Sequence, residues 1–400
     1  MTRTVLRGGR VFDGTGSDPT VGDVAIENGR IVGVGSGLDG DEAVDVTGRT
    51  LLPGLFDCHT HVTISSVDLW QAAQRPFSYQ FYQAAKNLEA TLRIGITSVR
   101  DAGGADLGIK QAVEDGLVAG PRLQISIVML SQTGGHGDDW YPSGAEVPFL
   151  IAHPGRPSGI VDGPMEVRHK VRELVRAGAD VIKVATSGGV LSPRDDPRHA
   201  HFRPDELETL VEEATAAGIF VMAHAQGADG IKNAVRAGIR SIDHGIYLDD
   251  EAIELMKARG TWFVPTLVAP QGVIDAFDAG VPLPPAVIDK ARRVLEIHRA
   301  AFRHAVEAGV RIAMGTDSGV TPHGRNLREL ALMVGGGMTP AAALEATTRS
   351  AAQLLGVDRD LGTIEEGKVA DLVVIGGDPY EVETLPDRIE QVWKAGLRVA

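Results

Sequence analysis

The two ends of the chain run in short alternations of apolar and polar residues, and the middle follows a longer rhythm. Thr4–Leu6, Arg10–Phe12, Val24–Glu27 and Arg30–Val34 read as strands parted by Gly8-Gly9, Asn28-Gly29 and Gly35. Asn28-Gly29 between Ala25-Ile26 and Ile31-Val32 predicts a tight hairpin, because both residues tolerate the positive φ such turns need. Ala370–Ile375, Gln391–Ala395 and Leu397–Val399 repeat the pattern at the other end. The economical reading is one small composite β-sandwich domain built from both termini, residues 1–52 plus 360–400.

Between these ends, predicted strands alternate with helices. The strands are Leu51–Phe56, Thr97–Arg100, Leu123–Leu130, Val181–Ala185, Phe220–Ala223, Ser241–His244, Trp262–Leu267 and Arg311–Met314. Helical periodicity covers Val167–Ala177, Pro204–Ala217, Asp229–Ala237, Glu251–Arg259 and Pro285–Ala308. Pro204-Asp205-Glu206 has the proline and acids of a helix start. This alternation predicts an α/β fold, a (β/α)8 TIM barrel over residues 53–359. A doubly wound open sheet is the competing architecture, but no Gly-x-Gly-x-x-Gly follows an early strand to support it.

In such barrels chemistry sits at the C-terminal strand ends. Strand 1 runs into Asp57-Cys58-His59-Thr60-His61, where alternation turns both imidazoles the same way. Strand 3 leads into Thr133-Gly134-Gly135-His136-Gly137-Asp138, strand 5 ends at His224, strand 6 at His244, and strand 8 leads to Asp317. Imidazoles and a carboxylate converging from several strands suit a borderline divalent ion such as zinc. Lys183 lies between Ile182 and Val184 in an apolar strand, where a cation is costly to bury. Its amine either reaches solvent or a carboxylate, or stays neutral and takes up carbon dioxide, giving a carbamate whose two oxygens can bridge two metal ions.

Composition narrows the function. A formal net charge of −14 disfavours a nucleic-acid partner, which needs a basic footprint. The single cysteine, Cys58, excludes an intrachain disulfide and fits a reducing compartment. The N-terminal stretch has no apolar signal core, and no segment has the run of apolar residues a membrane helix needs. A cytoplasmic enzyme without a membrane or nucleic-acid partner is the expectation.

The set His59-x-His61, Lys183, His224, His244 and Asp317, in that order along the strands, resembles the amidohydrolase superfamily over nearly the whole chain. Gly362–Val373 is similar to that family's return into its composite β domain. Thr133–Asp138, Lys183–Val190, His244–Leu248 and His323-Gly324-Arg325-Asn326 are similar to its prolidase-like, imidazolonepropionase-related branch of Xaa-Pro and Xaa-Arg/Lys dipeptidases. The chain is unlike imidazolonepropionase itself, where no bridging lysine is implied.

The resemblance implies two divalent ions, zinc in the first instance with manganese, cobalt or iron as alternatives. His59, His61 and Asp317 would hold one, His224 and His244 the other, and carboxylated Lys183 would bridge them. Asp317 would move the proton, and His136 and Tyr247 would hold or polarise the scissile carbonyl. For Tyr247, packing at the barrel rim is the alternative. The implied reaction is hydrolysis of an amide, above all the peptide bond of a dipeptide or an N-acyl amino acid, a small-molecule substrate, by a homo-oligomer. The alternatives are a cyclic amide, carbamate, ester or phosphoester hydrolase using the same centre, and a non-catalytic binding barrel.

A dipeptidase needs a cation for the product carboxylate. Arg194, Arg203 and Arg325 are the loop candidates, with Arg325 beside His323 after strand 8. Gln132–Gly163, rich in proline and carrying Trp140, Tyr141 and Phe149, reads as a pocket wall, a lid or an oligomer contact. His199-x-His201 is read as loop with a possible place near substrate, and His298 and His304 as solvated or capping residues of a helix. Asp101 is open between orienting a ligand and capping a turn, and Cys58 should point away from the metal.

Overall fold

A computed structural model describes residues 2–400. Five strands come first: β1 (Thr4–Val11), β2 (Thr20–Glu27), β3 (Arg30–Gly35), β4 (Glu42–Asp45) and β5 (Arg49–Pro53). The two expected pieces of β1 are one strand, carried through Gly8, at φ +76°, by a shift in register between Leu6 and Gly9. Asn28 and Gly29, at φ +54° and +75°, turn β2 into β3 as expected.

The apolar run Leu51–Phe56 is not one strand. It divides at Gly54 into β5 and β6 (Leu55–Thr60), which belong to different sheets. Gly54 donates its N–H to Asp371 O at 2.7 Å, and a Cβ there would lie 2.2 Å from Thr97 Oγ1. The run stays apolar throughout because both halves are buried, which hides the break.

β6, β7 (Ile96–Asp101) and β8 (Arg122–Ile125) form one parallel arc. β9 (Met129–Leu130), β10 (Val181–Ala185), β11 (Phe220–Ala225), β12 (Ser241–His244) and β13 (Trp262–Val264) form a second. The expected strand Leu123–Leu130 is thus broken in two around Ile127, at φ +70°. One half pairs with β7 and the other with β10. The expected strand Arg311–Met314 has no regular ladder, yet it is hydrogen-bonded on both sides. Phe263 donates to Arg311 O at 2.8 Å, and Cys58 to Met314 O at 2.9 Å. Helices Gly163–Arg176, Pro204–Ala216, Ala228–Ala237, Asp250–Arg259 and Pro285–Glu307 fall where the periodicity places them.

β14 (Leu372–Gly376), β15 (Ile389–Lys394) and β16 (Leu397–Arg398) return to the first sheet, with β14 antiparallel to β5. Hydrogen bonds link all eight terminal strands into one sheet rather than two. Its two faces bury different partners, as strand alternation requires. Leu51, Leu372 and Val374 join Leu6, Val24 and Trp393 in the sheet's own core. Leu52, Val373 and Ile375 pack into the large core of the helices and parallel strands. Each such leucine or valine contributes about 1.5–3 kcal/mol by leaving water.

Candidate metal centre

The strand-end residues expected to carry chemistry converge on one cavity of about 920 Å³, lined by His59, His61, Lys183, His224, His244 and Asp317. Ring centroids of His59 lie 5.4 Å from His61 and 4.9 Å from His244, and those of His224 and His244 are 4.6 Å apart. Asp317 Oδ1 lies 3.4 Å from His59 Nε2 and 3.2 Å from His61 Nε2. One donor atom each from His59, His244 and Asp317 falls within 4.8 Å of the others. A nitrogen and oxygen donor set this close fits a divalent ion of the zinc kind.

Each histidine is held by its other nitrogen. His59 Nδ1 donates to Asp243 Oδ2 at 2.7 Å, and His61 Nδ1 to Gly103 O at 2.8 Å. His244 Nδ1 is 2.7 Å from Thr266 Oγ1. These contacts fix the rings and leave Nε2 for the centre. His224 is the exception, with Nε2 3.1 Å from Gly188 O, so its free nitrogen is Nδ1. Burial, reinforced by neighbouring cations and histidines, holds His224 and His244 well below the usual imidazole range, in the neutral form that binds metal. Burial would raise Asp317, but hydrogen bonds with His59 and His61 outweigh it and hold the carboxyl well below the usual range. His244 and Asp317 both sit at positive φ, 76° and 60°, a strained backbone that aims them inward.

Lys183 is 1% exposed, with Nζ 3.4 Å from His59 Nε2 and 3.8 Å from Asp243 Oδ2. Burial pushes its amine down to about 8, against the pull of Asp243. It does not reach solvent.

Asp243 is the residue that sequence reasoning missed. It is fully buried and binds His59, Ser241 Oγ and Arg100 Nη2, the last at 3.2 Å. Arg100 in turn donates to Cys58 O at 2.7 Å. An acid inside an expected barrel strand, Ser241–His244, was the available signal. Asp57 was missed too. It accepts from the Thr316 N–H and hydroxyl and from Asn326 Nδ2, tying strand 1 to the turn that carries Asp317.

His136 lines the cavity, stacked on His224 with centroids 4.1 Å apart. Arg194 lines it as well, its guanidinium 4.9 Å from the Trp140 ring centroid. The other expected residues lie elsewhere. Tyr247 does not line the cavity and packs against the cluster of Val190, Ile246 and Val273. His323 is spent on backbone, with Nε2 donating to His61 O at 3.2 Å and Ile64 O at 3.0 Å. Arg325 and Arg203 are exposed and outside the cavity lining. Asp101 caps the turn after its strand, accepting from Gly103, Ala105 and Val62 N–H groups.

His298 is neither solvated nor a helix cap: it is 1% exposed, lines the cavity, and burial pushes it down to about 4. It shares a helix face with Ala291 and Val294, which the spacing would have shown. His201 is buried away from the cavity lining, and His304 is exposed beside Asp250. Cys58 packs with Phe56, Trp262 and Val264, away from the centre. No described helix is long and apolar enough to cross a membrane.

Residues 50–398 match the model of the amidohydrolase family. The chain belongs to the amidohydrolase family. This amidohydrolase is 38% identical over 366 residues to an ochratoxinase of Aspergillus niger, covering 86% of this chain and 75% of that one. It also resembles the crystal structure of a Xaa-Pro dipeptidase with bound methionine, at 34% identity and a TM-score of 0.90 over 99% of both chains. A prolidase complexed with N-methylphosphonate-L-proline is similar at 38% identity and a TM-score of 0.90, over 100% of this chain and 99% of that one.

Proposed function

We propose that this amidohydrolase cleaves the peptide bond of a dipeptide or the amide of an N-acyl amino acid with two divalent ions. The observation that carries the reading is Lys183, a buried lysine whose amine meets His59 instead of solvent. As a free amine it adds to carbon dioxide, losing one proton and becoming a carbamate. His59, His61 and Asp317 would hold one ion, His224 and His244 the other, with carboxylated Lys183 shared. When bound, the ions supply a hydroxide at neutral pH and polarise the carbonyl. We read the two parallel arcs as one closed (β/α)8 barrel over residues 53–359, with 1–52 and 360–400 as its companion β unit.

The chain's own residues do the rest. Asp317 takes the proton of the attacking water and returns it to the leaving nitrogen. His136 faces the carbonyl and stabilises its developing charge. Arg194, held against Trp140, is the cation at the cavity available to a substrate carboxylate. The likeness to a Xaa-Pro dipeptidase and a prolidase supports the peptide.

Apolar walls formed by Leu69, Met129, Phe149, Leu150 and Val273 favour a large acyl group or side chain and keep N-acyl amino acids in view, and the likeness to an ochratoxinase supports an amide hydrolase. Dipeptides and N-acyl amino acids screened with zinc, manganese and cobalt enzyme should separate the two. A free C-terminal carboxylate should be required, so equal kcat/KM for a dipeptide and its C-terminal amide rejects the reading. Replacing His59 and His61 together should abolish both metal content and hydrolysis.

A further inference from the structure

Lys290 is a buried lysine that the metal chemistry does not use. It projects from the helix Pro285–Glu307 with its side chain 8% exposed. Its Nζ lies 2.8 Å from Gly189 O, 2.6 Å from Ser192 O and 2.7 Å from Asp195 O, with Asp195 Oδ1 at 3.2 Å. An ammonium has three protons, so these acceptors satisfy it fully. One lysine thereby gathers three carbonyls of a single turn.

That turn grips His136. One face of the imidazole stacks on His224. On the other side is Gly189, where a Cβ would lie 2.1 Å from His136 Cε1. At the edge, Nδ1 is 2.8 Å from Ser192 Oγ and 3.4 Å from Asp195 Oδ2. Ser192 has one hydroxyl proton, and the adjacent Asp195 carboxylate takes it. Ser192 Oγ must then accept from His136, so Nδ1 carries a proton and Nε2 is the ring atom left for a ligand, donating to a carbonyl oxygen when the ring is the imidazolium, with the Asp195 carboxylate beside Nδ1 to balance it. Asp195 is fixed in turn by the Gly189 N–H at 3.0 Å and by Lys290.

We infer that Lys290 is a positioning residue for amide hydrolysis: it locks the 189–195 turn so that Ser192 and Asp195 hold His136 by its Nδ1–H. The inference rests on the proposed hydrolytic reading. Its first test does not need turnover. Long-range proton–nitrogen spectra of 15N-histidine-labelled protein should show His136 protonated at Nδ1, with that pattern lost in Lys290→Met and in Ser192→Ala. Metal content by elemental analysis should match the unaltered protein, since Lys290 touches no ligand.

The second test is kinetic. Lys290→Met should lower kcat by about 10- to 100-fold while KM moves less than about threefold, the signature of an interaction used in the transition state. In a His136→Gln background the same change should cost less than about twofold, because the group it positions is gone. If Lys290→Met does not fold, Lys290→Gln and Ser192→Ala give the same readouts. An unaltered His136 tautomer in these variants, or an equal kinetic loss with and without His136, overturns the inference. A protein that hydrolyses no amide overturns the functional reading instead, and the spectra still judge Lys290.

Discussion

Asp243 Oδ2 accepts the Nδ1–H of His59 at 2.7 Å, although the two residues lie 184 positions apart in the chain. The contact sets which nitrogen of His59 faces the proposed metal centre, and Arg100 keeps the acid charged against the pull of burial. Asp243→Asn should weaken metal binding by about 10- to 100-fold, read by competition with a chromogenic chelator. Asp243→Ala should in addition leave Arg100 buried without its anion and lower stability by about 3–5 kcal/mol, read from denaturant midpoints.

Lys183 gives a pH test. Its amine ionises at about 8, so the neutral form that can take up carbon dioxide grows as pH rises through that value. With dissolved carbon dioxide, supplied from bicarbonate, held at one concentration, metal-stripped protein should regain activity with zinc faster at pH values above this than below it. Lys183→Met should bind less metal than the unaltered protein and gain nothing from bicarbonate. Reactivation that is equally fast with and without bicarbonate would count against a carbamate.

Gly189 is needed for space, and its φ is not among the positive ones. Gly189→Ala should fold, displace His136 and reduce kcat by about 100-fold, near the loss of a donor to developing charge. Thermal midpoints and metal content measured beside the kinetics separate this from general damage.

The proposed metal ligands were legible because most lie at or just beyond a strand end, Lys183 interrupts an apolar strand, and His59-x-His61 advertises itself locally. Asp243 was not, since a single acid in Ser241–His244 acquires meaning only when Arg100 and His59 arrive from distant strands. The motif His323–Asn326 was legible as a motif but misread in its parts. His323 and Asn326 hold backbone and Asp57, and Arg325 faces out. Alternation could not place Tyr247, because the chain turns at Gly245 (φ +58°) before reaching it. The strand after Ser126 was misjudged since apolar continuity conceals a kink at Ile127.

Glu329 links stability to pH. It is buried and accepts from Leu267 and Val268 N–H groups, and burial pushes its carboxyl up to about 8. An unfolded glutamate titrates near 4.3. Between these values the folded chain holds a proton that the unfolded chain has released, so this residue's contribution falls as pH rises from about 4.3 to about 8 and is level beyond. Urea midpoints of metal-free protein should show that slope, and Glu329→Gln should remove it. An unchanged slope in the variant would assign the pH dependence to other groups.

The break at Gly54 joins the outer sheet to the reaction. β5 is hydrogen-bonded to β14, and one residue later the same chain becomes the strand that carries His59. A deletion starting at Leu372 would therefore remove none of the proposed ligands and yet unzip the support on which His59 and His61 are held. In such a truncation, a loss of bound metal should appear before any loss of overall shape.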